Sequence, residues 1–368
     1  MNSAWVDRLA GPLRTRAALG LRPLTLPVML LVPIGVTLGP AGSGLITRSA
    51  LPYLDVVISV ALATLGVFVG IAFGTQEGRV KHLVAAATIE GSTAGAAVAA
   101  ATFFLLQTWQ MPLDVTPLVA ALALGIAASA SAAPYVGAAD DRARQVAARV
   151  ADLDDVLPIV AGGVVLSLVA SGGTERIVAD LAVTIAAGLA GGVSGWLLFE
   201  RSDPAERGVF VIGTLTLLGG LAGYLGTSPL IAGMAAGYVW ARTPGHTDRI
   251  AADDLQKVQH PLVVLLLLTA GASLQLTLAG IWLFAPYVLF RIAGKLVGGW
   301  LASRVAPGVA PSDLGAYLIP PGVLGIAFAL NLQQVAGESS APLLFAVSLG
   351  AVASEIVALL VAPVPRQG

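Results

Sequence analysis

The 368-residue chain contains no cysteine, which excludes disulfides, thiolate nucleophiles, iron–sulfur clusters and zinc knuckles. Its three histidines, His82, His246 and His260, are too scattered to suggest a histidine-based metal site. Charge is the larger deficit. Lys and Arg number 20 and Asp and Glu 21, so 11% of the residues are charged, against about 25% in a soluble domain. A water-soluble globule of this size could not cover its surface with so few. The net charge of −1 also argues against a nucleic-acid footprint. What fills the chain instead is apolar: 57% of residues are hydrophobic and the mean hydropathy is +0.86. The 43 glycines and 22 prolines fit the same picture, since both are commoner in membrane helices than in soluble ones. The composition is that of an integral membrane protein.

A spanning helix needs about 20 mainly apolar residues. Twelve such segments follow one another, at roughly 24–40, 51–75, 82–107, 115–137, 145–170, 177–199, 208–225, 228–241, 258–276, 278–303, 312–333 and 340–363. They are too long for barrel strands and show no alternation of period two, so an all-α polytopic fold is expected and a β-barrel is excluded. Residues 1–23 read as a basic tail, with Trp5, Leu9, Leu13 and Leu19 lying at the interface. The tail lacks the continuous apolar core of a signal peptide, so it is expected to be retained. With the N-terminus cytoplasmic, sixteen basic residues fall inside and only Arg48 and Arg176 outside, while Arg291 and Lys295 lie within the tenth span. That asymmetry predicts a multi-pass protein of the cell's inner membrane with both termini cytoplasmic.

Ionisable residues inside the bilayer are costly and mark functional sites by default. Glu90, Asp155, Lys295 and Glu355 lie nine to eleven residues from basic residues at the cytoplasmic edge. At 1.5 Å per residue that is about 14–17 Å of depth, the middle of a core about 30 Å thick. The sharpest element is "ARVADLDDVLPIVAGG" (148–163), where Asp154 and Asp155 are adjacent and so point about 100° apart on a helix. One can face a basic side chain and the other a transported ion. Asp152 shares the face of Asp155 nearer the cytoplasm and is placed at the entrance.

Two spans read as broken. The fourth contains "GIAASASAAPYVG" (125–137), with Ser129, Ser131 and Pro134; the eleventh contains "YLIPPGVLGIAFALN" (317–331), with consecutive prolines. Proline removes a backbone donor, and unwound backbone at this depth is tolerated only inside protein or beside water. Discontinuous helices in matching positions of two halves point to a transporter site. "LTLPVMLLVPIGVTLGP" (24–40) opens one half and "GTSPLIAGMAAGYVWA" (226–241) the other. Counted from these, each broken span is the fourth of five, and Asp155 and Glu355 lie on the fifths. The first span starts inside and the eighth outside, which predicts inverted repeats at 24–170 and 226–363, joined by linker and scaffold helices at 171–225.

These segments resemble the monovalent cation/proton antiporter superfamily over about residues 24–363. "LPVMLLVPIGVTLGP" is similar to its opening helix, "GTSPLIAGMAAGYVWA" to its G-x-S-x-x-x-x-G-x-x-A-G helix and "FRIAGKLVGGW" to its R-x-x-G-K helix. Asp154–Asp155 resembles the paired-aspartate signature of the electrogenic sodium/proton branch. The resemblance implies a core domain moving, elevator-fashion, against a dimerising scaffold, hence a homodimer, and no cofactor. It implies that Asp155 binds the cation (Na+ or Li+) and protons alternately while Asp154 pairs with Lys295. Ser129 and Ser131 stand where the family offers hydroxyls to the ion, though "SASAA" has fewer. Arg291 is read as a brace of the tenth span, with Glu355 a candidate partner.

Rival readings keep the fold and change the cargo, to a potassium/proton antiporter or a sodium-coupled organic-anion transporter. A remoter one, an intramembrane prenyltransferase, wants two aspartate-rich motifs at the membrane surface, and the second half offers only Asp253 and Asp254.

Overall fold

The structure, a computed structural model, describes residues 28–75, 81–109, 113–132, 142–171, 174–203, 206–243, 247–307 and 309–361. The tail at 1–23 lies outside them. The chain forms α1 (Val28–Leu38), α2 (Leu51–Gly74), α3 (Lys81–Trp109), α4 (Pro117–Ser129), α5 (Arg142–Asp154), α6 (Val156–Ser171), α7 (Thr174–Arg201), α8 (Arg207–Tyr224), α9 (Pro229–Arg242), α10 (Thr247–Ala272), α11 (Leu278–Val305), α12 (Leu314–Tyr317), α13 (Val323–Ala336) and α14 (Ala341–Val361). Among the described residues the only extended pairing is an isolated antiparallel bridge between Ser131 and Pro321.

Each of the twelve apolar segments corresponds to helix, and among the described residues seven stretches are long and apolar enough to cross a membrane. Several starts are written locally. Thr116, Ser228 and Thr277 cap α4, α9 and α11 by accepting from Val119 N, Ile231 N and Gly280 N, and Pro117 and Pro229 occupy first-turn positions where no donor is missed.

Two boundaries differ from the expected ones. The ninth span was expected at 258–276, but α10 runs from Thr247 to Ala272. Its polar stretch "TDRIAADDLQK" contains good helix formers, so the helix continues past the apolar run. The fifth span is two helices, because Asp155 occupies a turn between α5 and α6. Pro158 explains this: it has no N–H for the carbonyl of Asp154 four residues back, and its ring crowds that carbonyl.

The helices sort around two close contacts. α2 packs against α9, where a side chain in place of Gly66, Gly70, Gly233 or Gly237 would run into the backbone of the other helix. α3 packs against α11, and α4 and α5 also pack against α3. The interrupted fourth and eleventh spans meet beside this second contact.

Candidate functional site

The two interruptions cross and hold each other. α4 stops at Ser129 and the backbone of Ala130 is extended; α13 starts after an equally extended Gly322. Ala132 N donates to Pro320 O at 3.0 Å and Gly322 N to Ala130 O at 3.4 Å. The prolines account for the breaks. Pro320 and Pro321 cannot donate to the turn before them, and Pro134, four residues past Ala130, has no N–H for that carbonyl. Residues preceding proline are also pushed toward extended conformations. Carbonyls are thereby freed deep in an apolar interior, where each unpaired polar group costs on the order of 1–3 kcal/mol.

Two cations on one face of α11, four residues apart, meet them. Arg291 donates to Ile319 O at 2.6 Å, Ala130 O at 3.1 Å and Pro320 O at 3.5 Å. Lys295 Nζ donates to Ser129 O at 2.5 Å, Ser131 Oγ at 2.6 Å and Glu90 Oε2 at 3.1 Å. Positive charge at the C-terminal end of α4 also matches the helix dipole.

Three carboxylates complete the cluster. Glu90 (0% exposed) comes from α3, Asp154 (1%) ends α5, and Lys295 between them is 0% exposed. Asp154 Oδ2 is 3.7 Å from Lys295 Nζ. Glu90 Oε1, both Asp154 oxygens and Asp155 Oδ1 are buried without a hydrogen bond among the described residues. Asp155, in the turn, is half-buried as a residue and Asp152 likewise. With every group ionised, Glu90, Asp154 and Asp155 face Arg291 and Lys295, and one negative charge is left over. A buried charge without a partner costs several kcal/mol, so the cluster favours one added positive charge, whether a proton or a monovalent cation.

The structure thus brings Glu90, Ser129, Ser131, Asp154, Arg291 and Lys295 into contact or one side chain apart, with Asp155 beside Asp154. Lys295 forms the expected ion pair with Asp154, Oδ2 to Nζ 3.7 Å, and is in addition hydrogen-bonded to Glu90, which takes the last of the lysine's three protons. Two expectations change. Arg291 is bonded to backbone carbonyls and not to Glu355, whose Oε2 accepts from Met29 N at 2.6 Å at the start of α1, a helix N-terminus that favours a carboxylate. The serine hydroxyls are engaged within the protein: Ser129 Oγ donates back to Ile126 O at 2.8 Å and Ser131 Oγ accepts from Lys295. Sequence reasoning missed the four backbone acceptors, Ser129, Ala130, Ile319 and Pro320. For Ala130 a signal was present, the proline four residues on.

No protein-family model and no curated protein sequence matches the chain. A solved structure does: that of the sodium/proton antiporter MjNhaP1 from Methanocaldococcus jannaschii. It aligns with a TM-score of 0.66 at 15% identity, over 96% of this chain and 95% of that one. The chain therefore has the fold of a sodium/proton antiporter along nearly its whole length.

Proposed function

We propose that this protein is a secondary active transporter that exchanges a monovalent cation, Na+ or Li+, for protons by alternating access of the carboxylates at the crossing. The observation that carries this reading is the charge balance of the cluster: three carboxylates against two cations, four of the carboxylate oxygens buried without a hydrogen bond among the described residues, beside two interrupted helices. One monovalent cation or one proton neutralises the surplus, and holding both at once restores an imbalance in a low-dielectric interior. Mutually exclusive occupancy is what couples the two fluxes. The name of the solved neighbour, a sodium/proton antiporter, supports the same reading.

In this proposal Asp155 binds the cation and protons alternately with Asp154 beside it; exchange is electrogenic if Lys295 also gives up its proton, a step that returns one unpaired negative charge to the cation-loaded cluster. Asp152 lies on the approach. The repeats at 24–170 and 226–363 are related by inversion, both termini are cytoplasmic, and the protein works as a homodimer, one domain sliding against the other. Proton movement in proteoliposomes under imposed Na+, Li+ and K+ gradients, with and without a clamped membrane potential, tests this. Na+- or Li+-driven movement that responds to potential is expected. Movement driven by K+ alone favours the potassium reading, and no response to potential removes the second proton.

A further inference from the structure

Lys295 lies between two buried carboxylates and serves one of them. Its three N–H donors go to Glu90 Oε2, Ser129 O and Ser131 Oγ. Asp154 Oδ2 stands 3.7 Å off, near enough to feel the charge but with no proton to accept, and both its oxygens are buried without a hydrogen bond among the described residues. Turning the ammonium from Glu90 to Asp154 exchanges one charge-assisted hydrogen bond for another. The two arrangements differ by a small movement at the end of one side chain.

The helices are built to present both partners. Gly294 and Gly298 flank Lys295 on α11, and a Cβ at either would come within 2.7 Å of Ala94 Cα or 2.8 Å of Glu90 O on α3. The backbones touch, as in small-residue helix pairs within membranes, which brings Glu90 to the lysine. Gly91, next along α3, leaves Asp154 Cβ at an ordinary 3.7 Å from where its own Cβ would be, so the second carboxylate fits beside the first.

We propose that Glu90 is the resting counter-ion of Lys295, a positioning residue that holds the ammonium off Asp154, and that the lysine changes carboxylate partner as the cation arrives and leaves. The inference rests on the ion-site reading above. With Lys295 on Glu90, Asp154 is open to the entering cation; with Glu90 neutralised, Asp154 is the remaining carboxylate within ion-pair reach of the ammonium, and the cation has to displace it.

The test is cation-driven proton movement in proteoliposomes, using whichever of Na+, Li+ and K+ drives the native protein. Glu90→Asp, which keeps the cluster's charge on an arm one methylene too short to hold the lysine, is expected to raise the apparent KM for that cation about tenfold, and any rise of at least threefold that exceeds the fall in maximal rate supports the role. A KM changed less than threefold, or a loss of rate alone in folded protein, overturns it. Asp155→Asn is measured alongside. Exchange surviving that substitution overturns the ion-site reading itself, whereas its loss together with an unmoved KM in Glu90→Asp removes only the role of Glu90.

Discussion

The two most extensive helix contacts in the molecule use the same steric device for different ends. Between α2 and α9, Gly70, Gly233 and Gly237 meet the backbone oxygens of Met234, Ala63 and Val67, and neither residues 61–74 nor residues 229–241 carry a charged side chain. Between α3 and α11, Gly294 and Gly298 also bring the backbones near, and the space beside them holds Glu90 and Lys295. Small residues let helices approach and gain dispersion contacts where lipid offers no hydrophobic drive. What they do not decide is the content of the gap. The first contact is an uncharged seam; the second sets the distance of an ion pair, so a few tenths of an ångström there should change transport as well as stability.

The largest effect is expected from Lys295→Gln, which leaves Glu90 and Asp154 buried without a cation between them. Breaking a buried pair costs roughly 3–5 kcal/mol, so thermal unfolding in detergent should shift strongly. The surviving protein should exchange cations without responding to an imposed potential. A retained voltage response would make the lysine a brace and the charged seam no different in kind from the uncharged one.

Next come alanines at matched glycines. Gly233→Ala and Gly298→Ala each force a methyl against backbone, overpacking worth roughly 1–3 kcal/mol. Gly233→Ala should lower stability and leave the cation KM unchanged. Gly298→Ala should lower stability and raise KM, because it presses on the backbone of Glu90. Equal behaviour of the two would dissolve the distinction.

The smallest effects separate the serines. Ser131→Ala removes a hydroxyl that accepts from Lys295 and should cost on the order of 1 kcal/mol with a measurable loss of exchange rate. Ser129→Ala removes only a hydroxyl turned back to Ile126 O, since its carbonyl still serves the lysine, and exchange should be close to native.

Much of this was legible in the sequence for physical reasons. Backbone groups in lipid must be satisfied within their own helix, so spans appear as apolar runs, and the two breaks appear as Pro134, Pro320 and Pro321. Counting residues from basic edges gave the common depth of Glu90, Asp155 and Lys295. Which of these touch was not legible, because it depends on the angle and spacing of helices distant in the chain. Glu90 and Lys295 are brought together by Gly294 and Gly298, a tertiary contact that no local pattern states. Arg291 was assigned a carboxylate on the rule that buried charges pair, when the freed carbonyls of the two breaks were the nearer acceptors. The turn at Asp155 did have a local signal in Pro158. It places the carboxylate at an interruption and not along a continuous helix face.

The most direct measurement is cation-driven proton movement by Asp155→Asn in proteoliposomes, set against the native protein at matched amounts of folded, inserted protein. The substitution removes the surplus negative charge and leaves Lys295, Glu90 and Ser131 their hydrogen bonds. Loss of exchange under Na+, Li+ and K+ gradients, with an unfolding temperature near native, is the expected result. Substantial exchange in the variant would contradict the account, because the cation and the proton would then be competing at some other site.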